Sequence, residues 1–223
     1  MEKFFGIDIG GTNVKIGVVT EKGKLLHKQK YKTAILKQGD FLENFRIALA
    51  EQQALFPKIK KVGIGIPGTL SKDRETALEL PNLTVLNGVK FTKYLRSSFP
   101  DMVFQLENDA NAAALGEYYF SDGSVPDSYI FITLGTGVGG GAVIDGKIFK
   151  GADGNAMEIG HIVSSNGKSV EENIGKQGIL GLALTTLEGY SGRSILSELH
   201  NLDSKKVVKA AHRQDKLALE IFQ

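Results

Sequence analysis

Apolar residues alternate with polar or glycine positions at the start of the chain. KFFGIDI (3–9), VKIGVVT (14–20) and KLLHKQKYK (24–32) therefore read as three strands, the second and third joined by the turn signal EKGK. From 40 to 56 the period lengthens. In DFLENFRIALAEQQALF, residues Phe41, Leu42, Phe45, Leu49 and Leu55 make most of one helical face, and Asp40 stands where an N-cap belongs. KKVGIGIP (60–67) is again a strand. A long loop follows from Gly68 to about Val89, then a short helix FTKYLRSSF, a strand MVFQLEN (102–108) and a helix DANAAALGEYYF (109–120). The predicted order is β-β-β-α-β-α-β-α.

The pattern then restarts. SYIFITLG is a strand, TGVGGG a turn, AVI a strand, Asp145-Gly146 a second turn and KIF a third strand. Side by side, FGIDIGGTNVKIGVV and IFITLGTGVGGGAVI share one design: an apolar strand, a Gly/Thr turn and a second strand. That is duplication at the level of supersecondary structure. After Lys150 a glycine-rich loop, GADGNAMEIGH, leads to helices expected at about 171–188, 193–200 and 204–222, with no strand after them. By analogy with the first copy, the second lacks its later strands. The class is α/β.

At 223 residues the chain suits one large domain or two small ones. Its 42% apolar and 23% charged residues are ordinary for a globular protein. Net charge is +2, from 27 basic against 25 acidic residues, with no Lys/Arg block, so no nucleic-acid partner is expected. No window approaches 18 continuous apolar residues, so no membrane span is expected. The N-terminal apolar run, broken by Asp8 and Gly10, does not read as a signal peptide. Cysteine is absent, which removes disulfides and thiolate metal sites and fits a cytoplasmic protein. Glycine, at 27 residues, is abundant and clustered, which brings backbone close to something.

TLGTGVGG contains G-x-G-x-x-G at Gly135, Gly137 and Gly140. A dinucleotide fingerprint needs a helix to start at the third glycine. Here Gly140 leads into GAVIDGK, which reads as a strand, so a β-hairpin phosphate clamp fits better. Glycines let successive N–H groups converge on an anion, and Thr12, Thr133 and Thr136 add hydroxyl donors. Two such hairpins facing each other would grip a polyphosphate from both sides. Asp8 precedes the first turn. A lone buried carboxylate costs several kcal/mol, so one beside a phosphate nest suggests a divalent cation such as Mg²⁺, which keeps most of its waters. The alternative is that Asp8 bonds the backbone of its own turn. In ENDANAAAL (107–115), Asn108 and Asp109 stand where a strand becomes a helix. Asp109 there is either an N-cap or a carboxylate facing the crevice at the strands' carboxyl ends. MEIGH adds a third polar cluster, Glu158 and His161.

Taken in order, DIGGTN, GIPG, PNL, ENDAN, TLGTGVGGG and EIGH resemble the ROK family, sugar kinases and related repressors within the actin-like, hexokinase-like ATPase superfamily. The likeness runs from Lys3 to about Leu187. It implies two RNase H-like (actin-like ATPase) lobes around a central cleft, over 1–112 and 113–223, the second incomplete. It implies ATP held by Gly10, Gly11, Thr12, Asn13, Lys15, Thr133, Gly135, Thr136 and Gly137, with Mg²⁺ bound through water to Asp8. Asp109 would be the general base, taking the proton of a sugar hydroxyl, the 6-hydroxyl by expectation, as that oxygen attacks the γ-phosphorus. Asn108, Glu158 and His161 match family positions that bind sugar, and Gly68 and Asn82 match them more loosely. Glu171, in VEENIG, matches another, with Glu172 as the alternative.

The sequence departs from the family in two places. HIVSSNGKSVEENIG lacks the family's zinc-binding cysteines, so no zinc site is expected and His161 either bonds sugar or fills a packed polar site. That short loop also resembles polyphosphate-using glucokinases. The family normally continues past a helix like 204–222 into a strand and a glycine pair that contact adenosine. The chain is therefore expected to bind nucleotide weakly and to expose apolar surface. The expected activity is ATP-dependent phosphorylation of a hexose, glucose to glucose 6-phosphate. The alternatives are a polyphosphate-dependent kinase, a sugar-responsive regulator and a non-catalytic sugar-binding protein; the first strand, beginning at Lys3, leaves no room for a regulator's helix-turn-helix. Family members are often dimers, so the resemblance implies a homodimer, on which the residues themselves are silent.

Overall fold

The protein is described from a computed structural model that covers residues 1–222. Strands β1 (Lys3–Ile9), β2 (Asn13–Thr20) and β3 (Leu25–Lys32) form an antiparallel meander. A single turn, α1 (Thr33–Leu36), follows, and then α2 (Phe41–Leu55). Strand β4 (Lys61–Ile66) pairs parallel to β1. The short strands β5 (Thr69–Leu70) and β6 (Ala77–Glu79) pair with each other, and α3 (Phe91–Ser98) leads to β7 (Val103–Asn108), parallel to β4. The sheet order is β3-β2-β1-β4-β7. Helix α4 (Asp109–Phe120) begins where β7 ends. A second sheet, of order β10-β9-β8, contains β8 (Tyr129–Leu134), β9 (Val138–Ile144) and β10 (Lys147–Ile148). The helices α5 (Val170–Ile174), α6 (Lys176–Glu188), α7 (Ser204–His212) and α8 (Lys216–Glu220) complete the chain.

Period-two patterning decides which face of the large sheet is dry. Phe5, Ile7 and Ile9 of β1, Val14, Ile16 and Val18 of β2, Val62, Ile64 and Ile66 of β4, and Phe104 and Leu106 of β7 are buried in one core with Phe41, Phe45 and Leu49 of α2 and Phe91 and Leu95 of α3. Phe45 ties α2 to α3 through its ring contact with Phe91 (5.3 Å) and stacks on Phe41 of its own helix (6.1 Å). Asp40 caps α2 as its position predicts, accepting from the N–H groups of Leu42 (2.8 Å) and Glu43 (3.4 Å). Leu55 does not join the apolar face; it is exposed at the last turn.

The structure departs from the sequence reading wherever local signals were short. The expected loop from Gly68 to Val89 holds the β5–β6 pair and a 3₁₀ turn (Thr84–Leu86), and buries Leu70, Leu80, Leu83 and Leu86 in the core. β9 starts at Val138, so the run VGGG lies in the strand rather than the turn. The Asp145-Gly146 turn has positive φ at both residues (49° and 72°), as a two-residue hairpin of this hand requires. The helix expected over 171–188 breaks at Gly175, whose Cβ, if present, would lie 2.5 Å from the Glu171 carbonyl oxygen. The 193–200 segment forms only a 3₁₀ turn (Ile195–Glu198). The expected 204–222 helix breaks into α7 and α8 at Gln214 (φ 61°) and Asp215.

The chain packs as two compact units, residues 1–131 with 141–156, and residues 132–140 with the segment from 157 onward. Residue 112, the expected lobe boundary, lies inside α4, which packs as one piece against β4, β7 and β10. The second unit has its own core of Ala183, Leu196, Val207, Ala210, Leu217 and Ala218. Ile130, Ile132 and Leu134, alternate residues of β8, are exposed, in line with the apolar surface expected.

Asp215 organises the second core. Its carboxylate accepts from the Ser194 hydroxyl (2.9 Å) and from the N–H groups of Ile195 (2.7 Å) and Ala218 (3.0 Å). Burial pushes its pKa up, but these hydrogen bonds outweigh burial and hold it below the usual carboxylate value. The charged form therefore stabilises the fold above a pH of about 4, and that contribution is lost as pH falls through the depressed value. Asp215→Ala should cost about 1–3 kcal/mol for each buried donor it strands. Thermal unfolding at pH 7 should show the drop, and the gap from wild type should narrow in acid.

Candidate active site

Parallel register brings three strand ends level. Asp8 of β1 pairs with Gly65 of β4, and Gly65 with Glu107 of β7. Side chains at these positions share the face opposite the core, at the carboxyl ends of the strands, where open α/β sheets bind ligands. α4 packs on the sheet at Gly65: a Cβ there would meet Asp109 Cα at 3.6 Å and Ala112 Cβ at 3.7 Å, ordinary packing distances.

Asn108, not Asp109, is the N-cap of α4. Its Oδ1 accepts from the N–H groups of Ala110 (2.9 Å) and Asn111 (3.1 Å), and its Nδ2 donates to the Gly68 carbonyl (3.2 Å). That removes the N-cap reading of Asp109. Asp109 sits one residue on, in the first turn, with Oδ1 accepting from Ala110 N–H at 2.9 Å. Its carboxylate reaches solvent. Protein still crowds it, and the resulting desolvation, aided by the nearby Asp8 charge and opposed by the Ala110 N–H, pushes its pKa above the usual carboxylate value. Gly68 is held at φ +87°, and a Cβ there would fall 2.1 Å from the Glu79 carbonyl oxygen, so only glycine fits.

The first glycine turn joins β1 to β2. Gly10 N–H donates to the Asn13 carbonyl (3.0 Å), and buried Thr33 braces the turn from outside, its hydroxyl donating to Gly10 O (2.7 Å) and its N–H to Thr12 O (3.1 Å). Asn82 packs on Gly11, where a Cβ would lie 2.7 Å from its own Cβ. Asn13 Oδ1 is buried with no hydrogen-bond partner. Asp8 requires a correction. It is neither lone nor buried: its side chain is 52% exposed, and its Oδ2 meets Lys15 Nζ at 2.6 Å, directly across the β1–β2 ladder. The burial argument for a cation there falls. Nor does Asp8 bond the turn backbone; Lys15 takes that place.

The second unit holds the other half of the expected site residues. Gly135 N–H donates to Gly137 O (2.9 Å), closing a turn one residue tighter than the first, and β9 rather than a helix follows, which removes the dinucleotide reading. Thr133 is the penultimate residue of β8, two residues before that turn, and Thr136 lies within it. Glu171 Oε2 accepts from Val138 N–H (2.9 Å), and a Cβ on Gly137 would lie 2.2 Å from that same oxygen. Glu172 points elsewhere: its carboxylate accepts from Ser169 N–H (2.7 Å) in a capping box on α5. Of the two, Glu171 is the one beside the glycine turn. Glu158 and His161 flank a 3₁₀ turn (Ile159–His161) pressed onto the start of β9, where a Cβ on Gly160 would lie 2.2 Å from Val138 O. His161 is exposed, so it does not fill a packed polar site. The sequence reading did not single out Thr33 or Gly65, whose contacts are with partners 21 residues or more away.

Fold and site together define an α/β protein of the actin-like ATPase class, with a glycine turn after β1, a carboxylate at the start of α4 and a second glycine turn after β8. The ROK family model matches residues 4–223. The glucokinase of Thermotoga maritima is 34% identical over 238 residues, covering 98% of this chain and 73% of that protein. A solved structure from Cytophaga hutchinsonii superposes with a TM-score of 0.90 at 37% identity, covering 98% of this chain and 73% of that one. A ROK family glucokinase from Streptomyces griseus, solved with glucose and AMPPNP, gives 0.80 at 29% identity, covering 99% and 74%. The chain belongs to the ROK family.

The raised pKa of Asp109 has a consequence for stability. Folding disfavours its charge, so its favourable contribution is complete below the ordinary carboxylate pKa and is lost as pH rises through the folded value. Asp109→Asn should therefore raise the melting temperature at pH 7. Calorimetry should show the gain shrinking away as pH is lowered to about 4.

Proposed function

We propose that this ROK protein is a sugar kinase that transfers the γ-phosphoryl group of ATP to a hexose, with glucose, yielding glucose 6-phosphate, as the first candidate. The observation that carries the reading is Asp109: a carboxylate with an elevated proton affinity, at the first turn of α4, level with the glycine turn that ends β1. The relatives that bear the name glucokinase support the substrate class.

In this reading Asp109 accepts the proton of the sugar's 6-hydroxyl. The freed electron pair of that oxygen forms the bond to the γ-phosphorus as the bond to the β,γ-bridging oxygen breaks, and ADP leaves with those electrons. Such transfers pass through loose transition states, so position and charge neutralisation carry most of the acceleration. A base near its working pKa adds roughly 10²–10⁴-fold. Lys15 and the amides of Gly11 and Thr12 supply positive potential for the phosphates, and the amides of Thr136 and Gly137 offer the same chemistry on the second glycine turn. Asn108, through its side-chain amide, and Glu158, His161 and Glu171 bind sugar hydroxyls, as do Gly68 and Asn82 through their backbone surroundings. A site built to bond hydroxyls rejects analogues lacking them.

Mg²⁺ fits Asp8 in one respect: this ion takes one or two carboxylates plus phosphate oxygens and water, and Asp8 is exposed enough to meet a water of its shell. When bound it would neutralise phosphate charge.

The test is a coupled ADP-release assay over a panel of hexoses, with inorganic polyphosphate as a competing donor. Turnover with ATP and glucose is expected, and Asp109→Asn should lower kcat by about 10²–10⁴-fold while glucose affinity changes little. Turnover retained in that variant would remove the base. Turnover supported by polyphosphate alone would reassign the donor.

A further inference from the structure

A cavity of about 380 Å³ opens beside β7, an edge strand of the large sheet, lined by Arg74, Arg96, Gln105, Glu107, Leu115 and Lys150 among others. No step of the proposed transfer uses it. Its charges do not balance. Glu107, with 17% of its side chain exposed, meets Arg74 Nη2 at 3.1 Å and Lys150 Nζ at 2.7 Å, so two cations share one carboxylate. The other acid and base in the lining are already committed. Asp73 accepts from the Ser71 hydroxyl (2.5 Å) and Glu75 N–H (3.0 Å), and Arg96 pairs with Glu75.

Arg74 is the unusual member. Its side chain is only 10% exposed, its backbone sits at φ +59°, and its Nη2 also donates to the Gly154 carbonyl. Its Nε and Nη1 are shut from solvent and have no hydrogen-bond partner. Buried donors are rarely left so. A guanidinium is a rigid fork, and each of its two donor edges pairs Nη2 with one of these nitrogens. An oxyanion that enters the cavity and draws the guanidinium toward it finds one donor free on either edge and shares the other with Glu107 or with the Gly154 carbonyl. Lys150, 40% exposed at the rim, adds a mobile cation.

We propose that this cavity binds a small oxyanion of the phosphate class, inorganic phosphate or a phosphate monoester, through Arg74 and Lys150. The volume lies at the low end of the roughly 300–1,000 Å³ typical of ligand pockets, which suits a phosphate carrying at most a small organic body. Arginine is the residue for such a group because its planar donors match two oxygens of one anion at once. Binding is felt at the start of α4, since Glu107 also accepts from Asn108 N–H (3.0 Å) and Asn111 Nδ2 (3.3 Å). An anion that takes over Arg74 and Lys150 leaves Glu107 to those two partners alone.

The experiment is an amide-shift titration of the ¹⁵N-labelled chain, with inorganic phosphate in one arm and glucose 6-phosphate in the other. Saturable shifts are expected at Gln105–Asn108 and Lys150 in at least one arm, and the tighter arm identifies the source. Arg74→Met should weaken that binding at least tenfold, and Lys150→Met several-fold. Should Arg74→Met not fold, Lys150→Met, altered at the rim, decides the matter alone. Shifts confined to Gly10–Asn13 and Gly135–Val138 would report only the glycine turns and would overturn the proposal. So would the absence of shifts, or cavity shifts of equal strength in the variants.

Discussion

The parallel hydrogen-bond ladder from β1 through β4 to β7 is the constraint on which the rest depends. It fixes Asp8, Gly65 and Glu107 at one level and delivers Asn108 and Asp109 one step beyond. A slip of one residue would turn Asp8 into the core and expose Ile7. The core prevents that slip, because Ile7, Ile64 and Leu106 are all buried on the opposite face. Apolar burial, which is not directional, is thereby converted into the placement of carboxylates.

Close backbone approach is the second recurring device. Gly11 accepts Asn82, Gly137 accepts the Glu171 carboxylate, and Gly160 sits on Val138. At each point a Cβ would intrude on the neighbour that gives the turn its shape. Glu171 shows the effect in the second unit: a single carboxylate fixes the first amide of β9 and defines one wall of the glycine turn. In the first unit Thr33 does the equivalent work with a hydroxyl and an amide.

Polar side chains near the strand ends are shared rather than dedicated. Asn108 caps a helix with its oxygen and holds Gly68 with its nitrogen. Glu107 serves two cations, an amide and Asn111. Such sharing makes the start of α4 sensitive to what its neighbours bind. Asp109, whose own oxygen meets only the adjacent N–H, is left with desolvation as the dominant influence, and that raises its proton affinity.

Alternation and helical period were enough to locate β1 to β4, α2, α3, β7 and α4, and the order of six short motifs was enough to identify the family. Those signals are local, carried by spacing along the chain. Asp40 as a cap and Asp145-Gly146 as a turn were legible for the same reason. The rest depended on distant partners. The Gly68–Val89 segment looked like a loop because its buried leucines follow no period, and only the core gives them a common destination. The pairing of Asp8 with Lys15 needed the hairpin register. The choice between Glu171 and Glu172 needed the capping box. The breaks at Gly175 and Gln214 needed backbone conformations that apolar periodicity does not encode. Sequence determined which chemistry the chain carries, because residue types and their order are its own property. Tertiary structure decided which of those groups are charged, capped, paired or free, because that is set by neighbours far away along the chain.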